Sequence, residues 1–327
     1  MSAEAVTRGP GSELAGKKDK TLTVLGCGNL GLAILEGILA SLSSDSGASS
    51  ENAPVQAPTR FIACVRRDQT ADRIRRTVEP YKKFPVTILQ NDNVKGVEQA
   101  DVVILGCKPN MFKDVLAAPG MRDALRGKLL ISILAGVHAA QIEEVLYPGL
   151  SVPSDPQERC TVVRVMPNTA AMVRQSMTVI GTTSPPLPAE WSELVTWIFT
   201  RIGKVVYLPP SQMDVCTALC GSGPAFVALM LEGLADGAVA MGLPRAEAQM
   251  MAAQVMKGTC AMVESGEHPA IVREKVSSPG GCTIGGLLVL EEAGTRGDIA
   301  RGVREATCVA SQLGQGVKGF VNGTRRF

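Results

Sequence analysis

Short apolar runs alternate with amphipathic stretches through the first two thirds of the chain. Residues 21–25, 60–65 and 101–105 are rich in β-branched and other apolar side chains, and each run is followed by a predicted helix. Strands that alternate with helices in this way are typical of a doubly wound, mostly parallel sheet. We therefore predict an α/β Rossmann-like domain over residues 21–209. Its further strands are predicted at 86–89, 128–135, 161–166, 177–181 and 205–208.

The pattern changes at Pro209-Pro210, because no strand signal follows these two residues. Apolar positions at helical spacing continue to the end of the chain, which predicts an all-α domain over residues 210–327. Gly and Pro residues are expected to interrupt the helices. Two helices are predicted at 225–241 and 245–265, with interruptions at 221–224 and 242–244.

The predicted helix at 225–241 is apolar enough to raise the question of a membrane span. Glu232 and Asp236 interrupt its apolar run, which argues against that interpretation. Helices so rich in Ala, Gly and Met need a partner surface, and a second copy of the chain would supply one. The core helices of a monomer would explain the pattern nearly as well.

Two stretches lack any packable pattern. Residues 1–20 are predicted to form a disordered tail, and residues 41–59 a low-complexity insertion rich in Ser, Ala, Asn and Pro. The tail has no apolar segment of the kind that a secretory signal needs, so we expect a cytoplasmic protein. An organelle address in the tail stays open.

Composition narrows the classes of function. The net charge of +2 over 327 residues and the aromatic content of 4% disfavour a nucleic-acid-binding surface. Nine cysteines are scattered through apolar segments without a CxxC pair, and only two histidines accompany them. A metal site or a disulfide framework is therefore not expected, and the thiols are interpreted as reduced and mostly buried.

The first predicted strand leads into a glycine-rich motif, Gly26-Cys-Gly28-Asn29-Leu30-Gly31. In a dinucleotide site, Gly26 would permit the tight turn, Gly28 would let the pyrophosphate approach, and Gly31 would let the helix pack on the strand. Asn29 and Leu30 are the other candidate cofactor-binding residues of this motif. A glycine-rich turn without a function is the alternative, and the strand before the motif and the helix after it disfavour that alternative.

Arg66 and Arg67 follow the second strand, where an NAD site usually carries an acidic residue for the ribose hydroxyls. Two guanidinium groups would suit the ribose 2′-phosphate, so we predict NADP as the cofactor, with NADPH preferred over NADH. Alternatively, both arginines begin a solvated helix that also contains Arg73, Arg75 and Arg76.

Two polar residues follow later strands of the predicted sheet. Lys108 comes after the strand at 101–105, and Asn168 after the strand at 161–166. Loops at the carboxyl ends of parallel strands line the cofactor cleft, so both residues are candidates for it. Taken alone, a residue of this kind is more often an ordinary turn residue.

A second loop lies deep in the helical half, at Ser277-Ser278-Pro279-Gly280-Gly281-Cys282-Thr283. Pro279 ends an incoming helix, the glycines permit a tight turn, and an apolar helical pattern resumes directly afterwards. The start of a helix exposes unpaired N–H groups that suit a carboxylate. A helix–helix turn with Ser or Thr caps is equally compatible with the local pattern.

Together these motifs resemble the pyrroline-5-carboxylate reductase family. The resemblance covers about residues 21–315 and also includes Lys108-Pro109, Arg164-Val-Met166-Pro-Asn168-Thr and Gly221-Ser-Gly-Pro-Ala. It implies NADPH-dependent reduction of (S)-1-pyrroline-5-carboxylate to L-proline, the last step of proline biosynthesis. It also implies a homodimer or a higher homo-oligomer such as a decamer, with the active site between one nucleotide domain and the partner's helices.

The resemblance also assigns roles to individual residues. Ser278 and the backbone of Gly280, Gly281 and Gly285 would bind the substrate carboxylate, and the hydroxyl of Thr283 would reach the ring nitrogen. Glu267 corresponds to a family glutamate near that site, which makes Thr283, Ser278 and Glu267 the catalytic candidates. Pro109 and Met166 correspond to cofactor segments. Cys282 and Ala170 depart from the residues that are common in the family.

The proposed chemistry needs no dedicated acid. A cyclic imine can be protonated before hydride arrives, and its amine product is already neutral, so His138 and His268 are not required as catalysts. Two other functions stay open on the sequence: a reductase of a different cyclic imine in specialised metabolism, and a catalytically silent NADP-binding protein.

Overall fold

One eight-stranded sheet organises the first two thirds of the chain in the computed structural model, which describes residues 19–44, 57–315 and 317. The strands are β1 (Lys20–Leu25), β2 (Pro58–Val65), β3 (Val86–Gln90), β4 (Val102–Leu105), β5 (Leu129–Ser132), β6 (Thr161–Met166), β7 (Ser176–Gly181) and β8 (Gly203–Leu208). Their spatial order is β3-β2-β1-β4-β5-β6-β7-β8, and every neighbouring pair is parallel except β6 and β7. The predicted doubly wound, mostly parallel sheet is therefore confirmed.

Helices cover both faces of this sheet. In β4, Val102 and Ile104 pack into the apolar layer on one face, while Val103 and Leu105 pack into the layer on the other. A strand that is apolar at every position is what a sheet buried on both faces requires. The helices of this part are α1 (Asn29–Ser44), α2 (Asp68–Val78), α3 (Asn93–Glu98), α4 (Phe112–Leu116), α5 (Met121–Ala124), α6 (Ala139–Leu146) and α7 (Ala189–Thr200).

The strand order places the cofactor cleft. The connections run outward in one direction from β1 through β2 to β3, and in the other direction from β4 onward. The carboxyl ends of β1, β2 and β4 therefore meet where the winding direction reverses. In open α/β sheets, ligands bind at this position.

The predicted ends of the strands and helices agree with the structure to within a few residues except at a few elements. The helix α1 runs to Ser44 and β2 begins at Pro58, so the ends of the predicted insertion at 41–59 belong to regular elements. Residues 45–56 of that insertion, and residues 1–18 of the predicted tail, lie outside the described residues. The strand β5 ends at Ser132 rather than at residue 135, because Gly136 (φ +70°) belongs to the turn that follows.

Helices alone follow the sheet. They are α8 (Met213–Cys216), α9 (Gly223–Ala240), α10 (Arg245–Glu264), α11 (Pro269–Val276), α12 (Cys282–Glu292) and α13 (Thr295–Gly314). The predicted interruption at 221–224 is wrong, because the residues from Pro210 to Ala240 form one helical run. Its turns over Thr217–Ser222 are π-helical, and this wider hydrogen-bonding pattern accommodates the missing N–H of Pro224 at the start of α9.

The helical part buries few large side chains within one chain. Only small residues, Ala235, Ala248 and Ala252, form the buried centre of the contact between α9 and α10. By contrast, Leu229 is 70% exposed and Met241 is 88% exposed. Among the described residues, the run Pro210–Ala240 is long and apolar enough to cross a bilayer, with 11% of its most apolar window buried. This extensive apolar surface needs a partner of some kind.

Candidate active site

A tight glycine turn joins β1 to α1. Gly26 has a φ of +78°, and a Cβ at this position would lie 2.6 Å from the backbone nitrogen of Cys107, so only glycine fits without strain. The N–H groups of Gly26 and Cys27 both donate to the carbonyl of Cys64 at the end of β2, at 3.1 and 3.0 Å. The turn is thus held against both β2 and the β4 loop.

The two other glycines of the motif meet different surroundings. A Cβ on Gly31 would lie 2.9 Å from Cγ1 of Val24, so a hydrogen at this position allows α1 to pack closely on β1. A Cβ on Gly28 would meet nothing closer than 3.9 Å. Gly28 is therefore not needed for packing, and its open side faces the cleft at the start of α1, where Asn29 and Leu30 also lie.

This cleft has a volume of about 780 Å³ and opens at the reversal point of the sheet. The glycine turn forms one of its walls, and the ends of β4 and β5 form another. Lys108 and Pro109 follow β4 and line it, and Lys108 is exposed with an extended backbone. The predicted cofactor residues Gly26, Gly28, Asn29, Leu30, Arg66, Arg67, Lys108 and Pro109 are all brought together here.

Positive charge gathers where β2 ends. Arg66 and Arg67 are exposed, line the cleft and stand directly before α2. Asp68 comes next in the chain, but its carboxylate accepts a hydrogen bond from Gln90 Nε2 at 2.8 Å and is thereby held towards β3. The arginines, and not the acidic residue, therefore set the charge at this end of the cleft.

Met166 and Asn168 do not line the cleft. Met166 is buried against Met213 and Cys216 of α8. The side chain of Asn168 accepts from the N–H of Ala170 and donates to the carbonyl of Cys220, both at 3.0 Å. Asn168 thus joins the sheet to the helical part, and the assignment of both residues to the cofactor stays a prediction.

The substrate candidates lie on the turn between α11 and α12. Ser278 accepts, through its carbonyl, a hydrogen bond from the N–H of Gly281 at 3.0 Å, and Gly280 between them has a φ of +68°. With Pro279 before that glycine, this is the geometry of a type II turn. A Cβ on Gly281 would collide with Ser278 Oγ. The shape of the turn therefore requires glycine at position 280, whereas at position 281 glycine leaves room for the Ser278 hydroxyl.

The helix α12 begins at Cys282 without a side-chain cap, and Gly281 stands at its N-cap position. Ser277 cannot cap it, because its hydroxyl donates back to the carbonyl of Arg273 at 2.9 Å. No side chain therefore caps the start of α12, whereas Ser277, the C-cap residue of α11, satisfies a carbonyl of that helix, so the alternative of a Ser-capped turn holds at that end. The first N–H groups of α12 are left for another acceptor, with Ser278 exposed and Thr283 half-buried beside them.

Glu267 is held by its own chain. Its carboxylate lies 2.8 Å from Lys275 Nζ, across the length of α11, and its side chain is only 29% exposed. This ion pair ties the segment before α11 to the last turn of that helix, close to the Ser277–Gly281 turn. An effect of Glu267 on the turn and its direct contact with the substrate both stay predictions.

His138 has contacts that fix the local structure. It stands at the N-cap of α6, and its Nδ1 lies 3.0 Å from Nη1 of buried Arg164. Burial lowers the pKa of Arg164, while the nearby carboxylate of Asp214 opposes this effect. Gln141 of the same helix donates to the carbonyl of Gly314 at 2.9 Å, so this cluster attaches α13 to the sheet.

None of the nine cysteines, all of which lie in the described ranges, forms a disulfide. Burial raises the pKa of Cys27, Cys64 and Cys160 to about 12. Burial also raises the pKa of Cys107, which lines the cleft, to about 11. These thiols are protonated near neutral pH and are poor nucleophiles. Within the described residues, no group of three or more His, Cys, Asp or Glu could hold a metal ion.

One cleft residue escaped the sequence reasoning. Arg73 was grouped with Arg75 and Arg76 as part of a solvated helix face, but it lines the cleft and donates to Asn29 Oδ1 at 2.5 Å. Local spacing offers no signal for this, since the contact joins α2 to the start of α1.

Two parts of the chain match the models of known protein families. Residues 210–313 match the family model described as pyrroline-5-carboxylate reductase dimerisation, and residues 21–136 match the one described as NADP oxidoreductase, coenzyme F420-dependent. A pyrroline-5-carboxylate reductase of Lophium arboricola is 59% identical over 326 residues, which cover 98% of this chain and 99% of the relative.

Two solved structures have the same fold over nearly the whole chain. A pyrroline-5-carboxylate reductase of Coxiella burnetii is 27% identical, with a TM-score of 0.72 over 90% of this chain and 99% of that chain. A pyrroline carboxylate reductase of Plasmodium falciparum, solved with NADP bound, is 24% identical, with a TM-score of 0.70 over 91% of this chain and 100% of that chain.

Proposed function

Because the chain belongs to the pyrroline-5-carboxylate reductase family, we propose that it reduces (S)-1-pyrroline-5-carboxylate to L-proline with NADPH, the last step of proline biosynthesis. The observation that carries this proposal is the uncapped start of α12, with Ser278 and Thr283 beside it. It supplies an anion site in a chain that also has a dinucleotide cleft. Residues 21–209 would form the nucleotide domain, and residues 210–327 the dimerisation and substrate domain.

The cleft suits NADPH. Gly28 leaves room for the pyrophosphate, and Arg66 and Arg67 supply positive charge for the ribose 2′-phosphate. The match of residues 21–136 to an NADP oxidoreductase family supports this choice. When bound, the cofactor supplies the hydride that the C=N carbon receives. The task of the cleft is to hold the nicotinamide ring in position for that transfer.

The turn before α12 suits the substrate. The free N–H groups at the start of the helix and the Ser278 hydroxyl would bind the carboxylate of the ring imine. Thr283, the second residue of α12, would place its hydroxyl at the ring nitrogen and keep the protonated imine oriented. Reduction yields a neutral amine, so neither residue has to deliver a proton to an alkoxide.

A second copy of the chain would complete the site. None of Ser278, Gly281 or Thr283 lines the dinucleotide cleft of its own chain. The match of residues 210–313 to a dimerisation family supports a homo-oligomer in which one chain's turn faces its partner's cleft. We also propose a cytoplasmic location, which the absence of disulfides among the nine cysteines, all of them described, supports.

The test is turnover with the authentic substrate. The full chain is expected to oxidise NADPH in the presence of 1-pyrroline-5-carboxylate and to release proline, identified by chromatography. Faster turnover of a six-membered cyclic imine would assign the chain to another imine reductase. A folded oligomer that binds NADPH but turns over neither imine would contradict the proposal.

Thr283→Ala examines the role of the hydroxyl, with Thr283→Ser as the matched control. Loss of a hydrogen bond to a charged group costs about 1.5–3 kcal/mol, so kcat/KM should fall by roughly 10- to 100-fold in the alanine variant. The serine variant keeps the hydroxyl and should retain most of the activity. Equal rates for the alanine variant and the unmodified chain would remove Thr283 from the mechanism.

A further inference from the structure

Arg73 reaches from α2 to the glycine turn. It lies between the buried residues Ala71 and Ile74 of α2, and it lines the cleft on the same side as Arg66 and Arg67. Its Nη1 donates to Asn29 Oδ1 at 2.5 Å. By contrast, the neighbouring Arg75 is exposed and pairs with Asp72. Among the arginines of α2, Arg73 therefore has a position of its own.

One donor of the Arg73 side chain has no partner. Its Nε is buried and makes no hydrogen bond. A buried N–H of a charged group is costly to leave unpaired. This Nε is itself shielded from the cleft, so an acceptor in the cleft would meet the part of the Arg73 side chain that lines it. An anionic oxygen is the best such acceptor for a guanidinium group.

The charge of Arg73 also affects the pKa of a residue in the glycine turn. Burial raises the pKa of the Cys27 thiol to about 12, Cys64 adds to this rise, and the charge of Arg73 partly opposes it. Cys27 lies within the glycine turn itself. The charge of Arg73 therefore lies close to the glycine turn, as its contact with Asn29 also shows.

The two phosphate positions of a bound dinucleotide differ in their surroundings. The 2′-phosphate belongs at the end of β2, where Arg66 and Arg67 stand, and the pyrophosphate belongs at the glycine turn and the start of α1. Asn29 is the first residue of α1. The contact between Arg73 and Asn29 therefore places the guanidinium on the pyrophosphate side.

We propose that Arg73 binds the cofactor pyrophosphate and holds Asn29 at the start of α1. This inference rests on the proposed use of NADPH. The pyrophosphate is common to NADPH and NADH, so Arg73 contributes to the affinity for both nucleotides, whereas Arg66 and Arg67 discriminate between them.

The experiment measures nucleotide binding without any imine. Dissociation constants of NADPH, NADH, ADP-ribose and 2′-AMP are determined by calorimetry for the full chain and for Arg73→Ala, Arg73→Lys and Arg75→Ala. We expect Arg73→Ala to weaken NADPH, NADH and ADP-ribose by a similar factor, about tenfold, as for a lost charge-assisted contact. Binding of 2′-AMP, which lacks the pyrophosphate, should stay unchanged. Arg75→Ala is the matched control on the same helix and should bind all four ligands normally.

The outcomes separate this inference from the reductase proposal. Unchanged affinities in Arg73→Ala would overturn it, as would a loss confined to NADPH and 2′-AMP. Arg73→Lys keeps the charge and the fold but not the guanidinium geometry, so an intermediate affinity is expected even if the alanine variant folds poorly. Failure of the unmodified chain to bind either dinucleotide would overturn both proposals, whereas binding without imine turnover would leave the role of Arg73 standing.

Discussion

Arg66 and Arg67 were predicted from their position after a strand, and the structure places both at the cleft. We expect Arg66→Ala and Arg67→Ala each to raise the KM for NADPH by about tenfold, because one charge-assisted contact to the 2′-phosphate is lost. The KM for NADH should change little. Steady-state kinetics with both nucleotides provide the measurement. No change for either cofactor would show that these arginines only face solvent, and equal increases for both would contradict a contact with the 2′-phosphate.

Glu267 and Lys275 form a coupled pair, so their variants should not be additive. If their ion pair orients the turn before α12, Glu267→Gln and Lys275→Met should lower kcat/KM by a similar factor, because either change breaks the same pair. The double variant should then be no worse than Glu267→Gln alone. Fully additive losses in this double-mutant cycle would mean that Glu267 acts on the substrate independently of Lys275.

Prediction from sequence succeeded for residues whose role follows from local backbone geometry. Gly26 and Gly280 have positive φ values, as their turns require. Arg73 could not be found in this way, because its contact with Asn29 joins residues 44 positions apart. The ion pair between Glu267 and Lys275 could not be predicted from the sequence either, since a glutamate alone does not show which cation lies beside it.

At the level of the elements, Gly28 and Gly31 have different roles in the connection between β1 and α1, because only Gly31 lies in the contact between them. Gly31→Ala would bring a Cβ to 2.9 Å from Val24 Cγ1, and such overpacking costs about 1–3 kcal/mol. Its melting temperature should therefore fall even without cofactor. Gly28→Ala has free space around its Cβ, so the melting temperature without cofactor should stay close to that of the unmodified chain.

NADPH separates the two variants further. The added methyl group of Gly28→Ala would occupy the approach of the pyrophosphate, so the stabilisation by NADPH in a thermal shift assay should be largely lost. Gly31→Ala should keep a cofactor-dependent shift, and Val24→Ala in the same chain should restore part of its stability. A stable Gly31→Ala variant would contradict the packing argument.

The predicted interruption at residues 221–224 shows where a sequence pattern fails at the level of the elements. Pro224 and three neighbouring residues of high turn propensity predicted an interruption of the helix, and the structure has π-helical turns over Thr217–Ser222 instead. Turn propensity is a local preference, whereas these turns and the preceding α8 pack against α13, and tertiary contacts outweigh such preferences. The start of α12 was placed correctly because Pro279 and Gly280 define a turn by themselves.

At the scale of the whole molecule, sheet order and the change to helices follow from the alternation of strands and helices, which is a property of the entire chain. The same alternation does not show whether the Ala-, Gly- and Met-rich helices form the core of a monomer or the surface of a dimer. A monomer core and a dimer surface present the same composition, and only the exposed fractions distinguish them. Leu229 at 70% and Val255 at 62% are exposed in the single chain, which a stable monomer would not explain.

The matched relatives and the dimerisation family make a second copy of the chain the partner of this surface. Leu229→Glu should therefore place a charge in the interface and disrupt the oligomer, as seen in the mass from light scattering. Leu150→Glu is the control, because Leu150 is 61% exposed on the nucleotide domain, away from the matched dimerisation residues. It should leave both mass and activity unchanged. Because the turn before α12 is expected to serve the partner's cleft, Leu229→Glu should also lose imine reduction, while its own cleft keeps NADPH affinity. An active monomer would contradict the shared site.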